Sequence, residues 1–352
     1  MPETKRQAFC DVHFEGGDVI AAHFSGIFTR ARRRYPPKKL DREALNQLIT
    51  RYWDFVDRKI REGVLDGDDA VSRQKLLDEL KARGAEIAGM LFSKETQRGI
   101  WKAAAESDVF VISTNLPEVP WEALFSREFG ERGLFLSDKC VIQRQLDSEE
   151  ELAAPMGRGN ASNHLVCLDP ILEREEKECA HRLVEHLESL GISLHRTSTK
   201  DALETVARDA AVIHWICEHS KEGLRLETDV FYSRRDVDAH RFPTSCVLFM
   251  LSCGAGRHDP DCTALSAGIA AASGCTVVAP SSVVAAQAAV RFIMDMQALL
   301  RRDGATNLSD VWSRMKNLPV GGRQADDVGP RDCYMLWFGI YGDCDTAIGS
   351  VA

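Results

Sequence analysis

The sequence predicts an α/β fold built on a mostly parallel sheet with helices on both faces. Three observations carry that expectation. Short apolar, β-branched runs recur at VFVIST (109–114), HLVCLD (164–169), AVIHWIC (211–217), SCVLFMLS (245–252) and CTVVAP (275–280). Runs of this length, apolar at consecutive positions, mark strands buried on both faces. From residue 164 onward they alternate with helical patterns at 171–190, 200–209 and 264–273, and with a helix running through residue 301. That alternation joins parallel strands by helical crossovers. The composition, 44% apolar and 28% charged over 352 residues, supplies a core for two domains or one large one.

Residues 8–29 alternate weakly around Gly16–Gly17 and predict a hairpin. The run RARRRYPPKK (30–39) is either an anion or partner patch or a solvated loop before a helix; on an acidic chain the loop is the expectation. Helical spacing through Leu45, Leu48, Ile49, Trp53, Phe55, Val56 and Ile60 predicts a helix over 41–62. Leu76, Leu77, Leu80, Ile87 and Leu91 predict a second over 73–92. Residues 109–146 are expected to add strands to the same sheet or to a packed neighbour. The stretch 147–163, acidic and then rich in Gly, Ser and Asn, predicts a loop. ISLHRT (192–197) predicts a further strand, and CYMLWFGIYG (333–342) closes the chain.

The formal net charge of −9 disfavours nonspecific nucleic-acid binding, which needs a basic surface. MPETKRQAF has no apolar leader, so no secretory signal is expected. The eleven cysteines lack disulfide-scaffold spacing, and Cys167, Cys246 and Cys275 sit in apolar runs, which fits a reducing compartment. Residues 268–290 carry no charge, but their Ala, Ser, Gly and Val content and the break at Pro280, Ser281 and Ser282 predict a buried strand, a turn and a helix start rather than a membrane span.

In open α/β sheets, sites form at the carboxyl ends of strands. AVIHWIC runs into Glu218, His219 and Ser220; SCVLFMLS runs into Cys253, Gly254, Ala255 and Gly256. As neighbours in a parallel sheet, the two strands would bring His219 to face Cys253. An imidazole beside a thiol stabilises the thiolate or takes its proton, and small residues after the cysteine leave backbone N–H groups open to a developing oxyanion. For an isolated cysteine at a strand end, an inert buried thiol is the commoner outcome. His214 lies inside its strand and is expected to be a core or supporting histidine. Cys217, His219, Cys253, His258 and Cys262 are potential zinc ligands, but no C-x-x-C pair is present and no metal is expected.

The order strand–His, strand–Cys resembles the caspase-fold cysteine peptidases, and among them CHAT domains. LPEVPWEALF (116–125), with Pro120, Trp121 and Glu122, is similar to the family's Pro-Trp-Glu segment. VIHWICEHS (212–220) and LFMLSCGAG (248–256) resemble its histidine and nucleophile strands; the Ala/Gly-rich helix with CTVVAPSSVV, and then FGIYGD (338–343), resemble its later blocks. The resemblance covers roughly residues 75–345 and implies a caspase-like peptidase domain over 75–352, behind an N-terminal elaboration of hairpin and helix over 1–74.

It implies His219 as general base, Cys253 as nucleophile, and backbone N–H groups of Ser220, Cys253 and Gly254 as the oxyanion hole. Trp121 would pack near the active site and Glu122 would bond to backbone. Asp259 and Asp261 are candidates for a pocket that binds a basic P1 side chain. The resemblance further implies a protein substrate, a regulatory or activating protein, no cofactor, no nucleic-acid or membrane partner, a cytoplasmic location and a bacterial defence or cell-death role. Two departures stand out. His214 and His219 are five apart where the family shows four, as though Glu218 were inserted, and Ser220 stands where Gly is usual. Glu218 either orients His219 or is solvated. These departures keep open a catalytically degenerate CHAT-fold binding module, with His214 as fallback base. Arg158, between glycines, is a candidate processing site, against an ordinary loop as the expectation.

Overall fold

The structure is a computed structural model. It describes residues 5–15, 19–26, 29–64, 69–130, 133–146, 164–168, 177–189, 199–208, 210–217, 219–220, 222–227, 229–237, 239, 241–252, 265–282, 286–303, 307–317, 335–344 and 346. The chain divides into two compact units, one of Met1–Asp147 with Pro319–Gly339, the other of Ser148–Leu318 with Ile340–Ala352.

In the first unit, β1 (Gln7–Glu15) and β2 (Val19–Gly26) form the expected antiparallel hairpin. The basic run departs from the expected loop. β3 (Thr29–Arg34) and β4 (Lys38–Lys39) both pair antiparallel with β2. The physical reason is the outer edge of β2, whose N–H and C=O groups need partners; Pro36 and Pro37 interrupt the pairing without preventing it. Three helices follow, each started by a side chain that accepts an orphan N–H of the first turn. Asp41 caps α1 (Arg42–Arg61) through Ala44 N at 3.0 Å. Asp69 caps α2 (Ala70–Leu91) through Val71 N at 3.0 Å. Ser93 caps α3 (Lys94–Glu106), a helix absent from the sequence-based expectation, through Thr96 N at 3.1 Å.

The chain then enters β5 (Val109–Thr114), parallel to β1 with Ala8 opposite Phe110. A two-stranded ribbon, β6 (Phe125–Ser126) with β7 (Leu134–Phe135), leads into β8 (Val141–Leu146), parallel to β5. The order in this unit is β3-β2-β1-β5-β8. Its core holds Trp53, Trp101, Phe110 and Trp121, all fully buried.

The second unit begins with β9 (His164–Leu168), α4 (Lys177–Ser189) and α5 (Lys200–Ala207). β10 (Val212–Ile216) continues into an antiparallel meander of β11 (His219–Ser220), β12 (Gly223–Glu227) and β13 (Val230–Tyr232). Then come β14 (Val247–Met250), α6 (Leu265–Ser273), β15 (Thr276–Pro280), α7 (Ala286–Asp303) and α8 (Leu308–Asn317). β16 (Phe338–Tyr341) has Phe338 and Gly339 in the first unit and Ile340 and Tyr341 in the second. β9, β10, β14 and β15 are adjacent and parallel in that order.

Every residue of β10, β14 and β15 is buried. Successive strand residues point to opposite faces, so both faces of this sheet are covered. Trp215, Tyr232 and Phe242 seat the meander against β10, with ring centroids 5.3 to 6.1 Å apart. The uncharged stretch 268–290 resolves into the end of α6, the buried strand β15 and the start of α7. No helix among the described residues is long and apolar enough to cross a membrane. The loop expected over 147–163 and the strand expected at ISLHRT lie outside the described residues.

Candidate functional site

The site begins with the pairing of β10 and β14. Val212, Ile213, His214 and Trp215 stand opposite Val247, Leu248, Phe249 and Met250. Beyond the strand, Leu251 N donates to Trp215 O at 2.8 Å, so the pairing persists to the carboxyl end. Both strands therefore end on the same edge of the sheet. His219, half-buried, opens β11 opposite Leu224. Cys253, with Gly254, Glu218, Asp259 and Asp261, lies outside the described residues; the described part of the β14 segment ends at Ser252, which is buried.

Ser220 follows His219 in extended backbone, opposite Gly223. Its Oγ accepts from Glu222 N at 3.1 Å. The residue of this hairpin that needs glycine is Gly223, at φ +128°, where a Cβ would sit 2.3 Å from Tyr232 O.

His214 is fully buried. Its Nε2 lies 2.9 Å from the Nε2 of Gln297 on α7, and its ring stacks on Phe249 at 5.3 Å and 20°. The imidazole and the amide meet in one buried hydrogen bond, whose direction follows the histidine tautomer. The ring is thus part of the packing between β10, β14 and α7.

Trp121 and Glu122 belong to the first unit. Trp121 donates from Nε1 to Leu116 O at 3.2 Å and packs near Phe92. The Glu122 carboxylate was expected to bond to backbone; it forms instead a buried two-pronged ion pair with Arg144 of β8, whose Nε lies 3.0 Å from Oε1 and whose Nη2 meets Oε2. The reason is Arg144 itself, which is 1% exposed and needs a carboxylate to be buried at all. Arg144 also donates to Pro117 O at 3.4 Å, and Ser137 Oγ donates to Glu122 O at 2.9 Å. The pair ties β8 to the 116–123 segment. Its sequence signal was a lone charge inside the strand run VIQRQL.

The buried thiols that precede β14 and β15 are chemically quiet. Burial holds the Cys246 thiol well above its usual pKa and pushes Cys275 up to about 12. Among the described residues no three His, Cys, Asp or Glu side chains converge as a metal site; Cys253, His258 and Cys262 lie outside them.

No family model matches the chain, and no curated protein matches it. Solved structures do. A chain of the Saccharomyces cerevisiae separase–securin complex at 3.0 Å matches with a TM-score of 0.58 at 9% identity, over 96% of this chain and 30% of that one. The same complex at 2.6 Å gives 0.55 at 9% identity, again over 96% and 30%. The complex of Porphyromonas gingivalis RgpB pro- and mature domains gives 0.49 at 9% identity, over 79% of this chain and 77% of that one. The chain thus spans about a third of the separase-complex chains it matches. The likeness establishes the fold: a caspase-like α/β architecture with a mostly parallel sheet.

Proposed function

We propose that the chain is a cysteine endopeptidase of CHAT-like type that cleaves a protein partner through an acyl-enzyme on Cys253. The observation that supports this reading is the parallel register of β10 and β14. Trp215 stands opposite Met250; four residues further lies His219, and three residues beyond Met250 lies Cys253. Adjacent strands are about 4.8 Å apart, within reach of an imidazole and a thiolate.

In the proposed reaction His219 takes the thiol proton and the Cys253 thiolate attacks the scissile carbonyl carbon. Backbone N–H groups near Ser220 and at Cys253 and Gly254 receive the oxyanion. His219 then gives its proton to the leaving amine, and water activated by His219 releases the acyl group. Loss of one oxyanion donor typically costs about 10²–10³ in rate. Asp259 and Asp261 are proposed to select a basic P1 side chain. A protein regulator is also proposed, since the separase structures that share this fold are complexes with securin. A bacterial defence or cell-death setting belongs to the same reading.

A peptidyl acyloxymethyl ketone probe tests it. Wild type should label at one site, Cys253→Ala should abolish labelling, and His219→Ala should reduce it by at least about tenfold. Labelling undiminished in Cys253→Ala removes the reading. A folded wild type that neither labels nor cleaves supports the binding-module alternative, which the Glu218 and Ser220 departures favour.

A further inference from the structure

We draw no further inference here: the strongest candidate, the group of buried serines Ser252, Ser281 and Ser282 where the adjacent parallel strands β14 and β15 end, belongs to the site already described, since Ser252 directly precedes Cys253.

Discussion

Two glycines on one helix should respond to alanine with opposite signs. α2 carries Gly84 and Gly89. Alanine in a helix is favoured over glycine by up to about 1 kcal/mol. At Gly89 nothing lies within 4 Å of an added Cβ, so the helical preference acts unopposed and Gly89→Ala should stabilise by about 0.5–1 kcal/mol. At Gly84 the added Cβ would lie 2.1 Å from Ala123 O, 3.2 Å from Ala123 C and 3.3 Å from Phe125 N. All three are backbone atoms, and the turn that carries them cannot withdraw freely. Ala123 N donates to Pro120 O at 3.0 Å, Ser137 Oγ holds Glu122 O at 2.9 Å, and the Glu122 carboxylate is locked to Arg144.

Overpacking costs typically about 1–3 kcal/mol, and backbone against backbone belongs at the top of that range. Subtracting the helical gain leaves Gly84→Ala destabilised by about 2 kcal/mol, and separated from Gly89→Ala by about 3 kcal/mol. Urea titration followed by tryptophan fluorescence measures both, with an unchanged m-value confirming that only stability moved. Equal stability of the two variants would refute the close approach of α2 to the 121–123 turn.

Glu122→Ala should cost about 3–5 kcal/mol, because it leaves Arg144 charged and buried, and Glu122→Gln with Arg144→Met should recover most of the loss; thermal melts of the three proteins check this. Burial alone would raise the Asp236 carboxyl, but Lys200 Nζ at 2.6 Å, Ser233 N at 2.8 Å and Ser233 Oγ at 2.7 Å outweigh it and hold the carboxyl below its usual range. A depressed folded pKa stabilises above the unfolded value, so Asp236→Asn should lose about 1–2 kcal/mol at pH 7, with the deficit closing as pH falls below about 4. Gly223→Ala should disorder the meander that carries His219 and cut probe labelling by at least about tenfold, whereas Ser220→Gly should leave labelling within about twofold; gel-based probe titration separates the two. Iodoacetamide at pH 7.5 should leave Cys10, Cys246 and Cys275 unmodified in folded protein, since burial raises all three thiols; peptide mapping that finds Cys246 alkylated would contradict its place inside the sheet.

Strands buried on both faces write continuous apolar runs, which is why VFVIST, AVIHWIC, SCVLFMLS and CTVVAP could be read directly. Elements whose burial uses other residues could not. α3 gives little sequence signal because its buried face is Thr96, Ile100, Trp101, Ala103 and Ala104, and small or polar residues write a weak stripe. β3 reads as a solvated loop because a strand at a sheet edge can be held by main-chain pairing to β2 whatever its side chains are. α8 carries a full signal, with Leu308, Val311, Trp312 and Met315 buried at helical spacing behind Asn307, whose Oδ1 accepts from Asp310 N at 3.0 Å. At the site, the strand ends were legible and their adjacency was not. Which strands neighbour one another is settled by pairing between residues more than thirty positions apart, and no local pattern encodes that.

The glycine absent at position 220 bears differently on the chemistry once the backbone is known. A serine in place of glycine would displace an N–H donor only where the backbone takes a conformation reserved for glycine. Ser220 lies in extended backbone, open to any residue, so its side chain imposes no strain there. The demand for glycine falls three residues later, at Gly223, where the meander passes against Tyr232. A serine at 220 therefore weakens the proposed oxyanion site only if its side chain intrudes, and its Oγ is already turned toward Glu222 N. His214 moves the other way. Enclosed by Phe249 and hydrogen-bonded to Gln297 through Nε2, it has the environment of a packing residue rather than of a base beside substrate. The two shifts concentrate the proposed chemistry on His219, which leaves the sheet at the edge where β14 also ends.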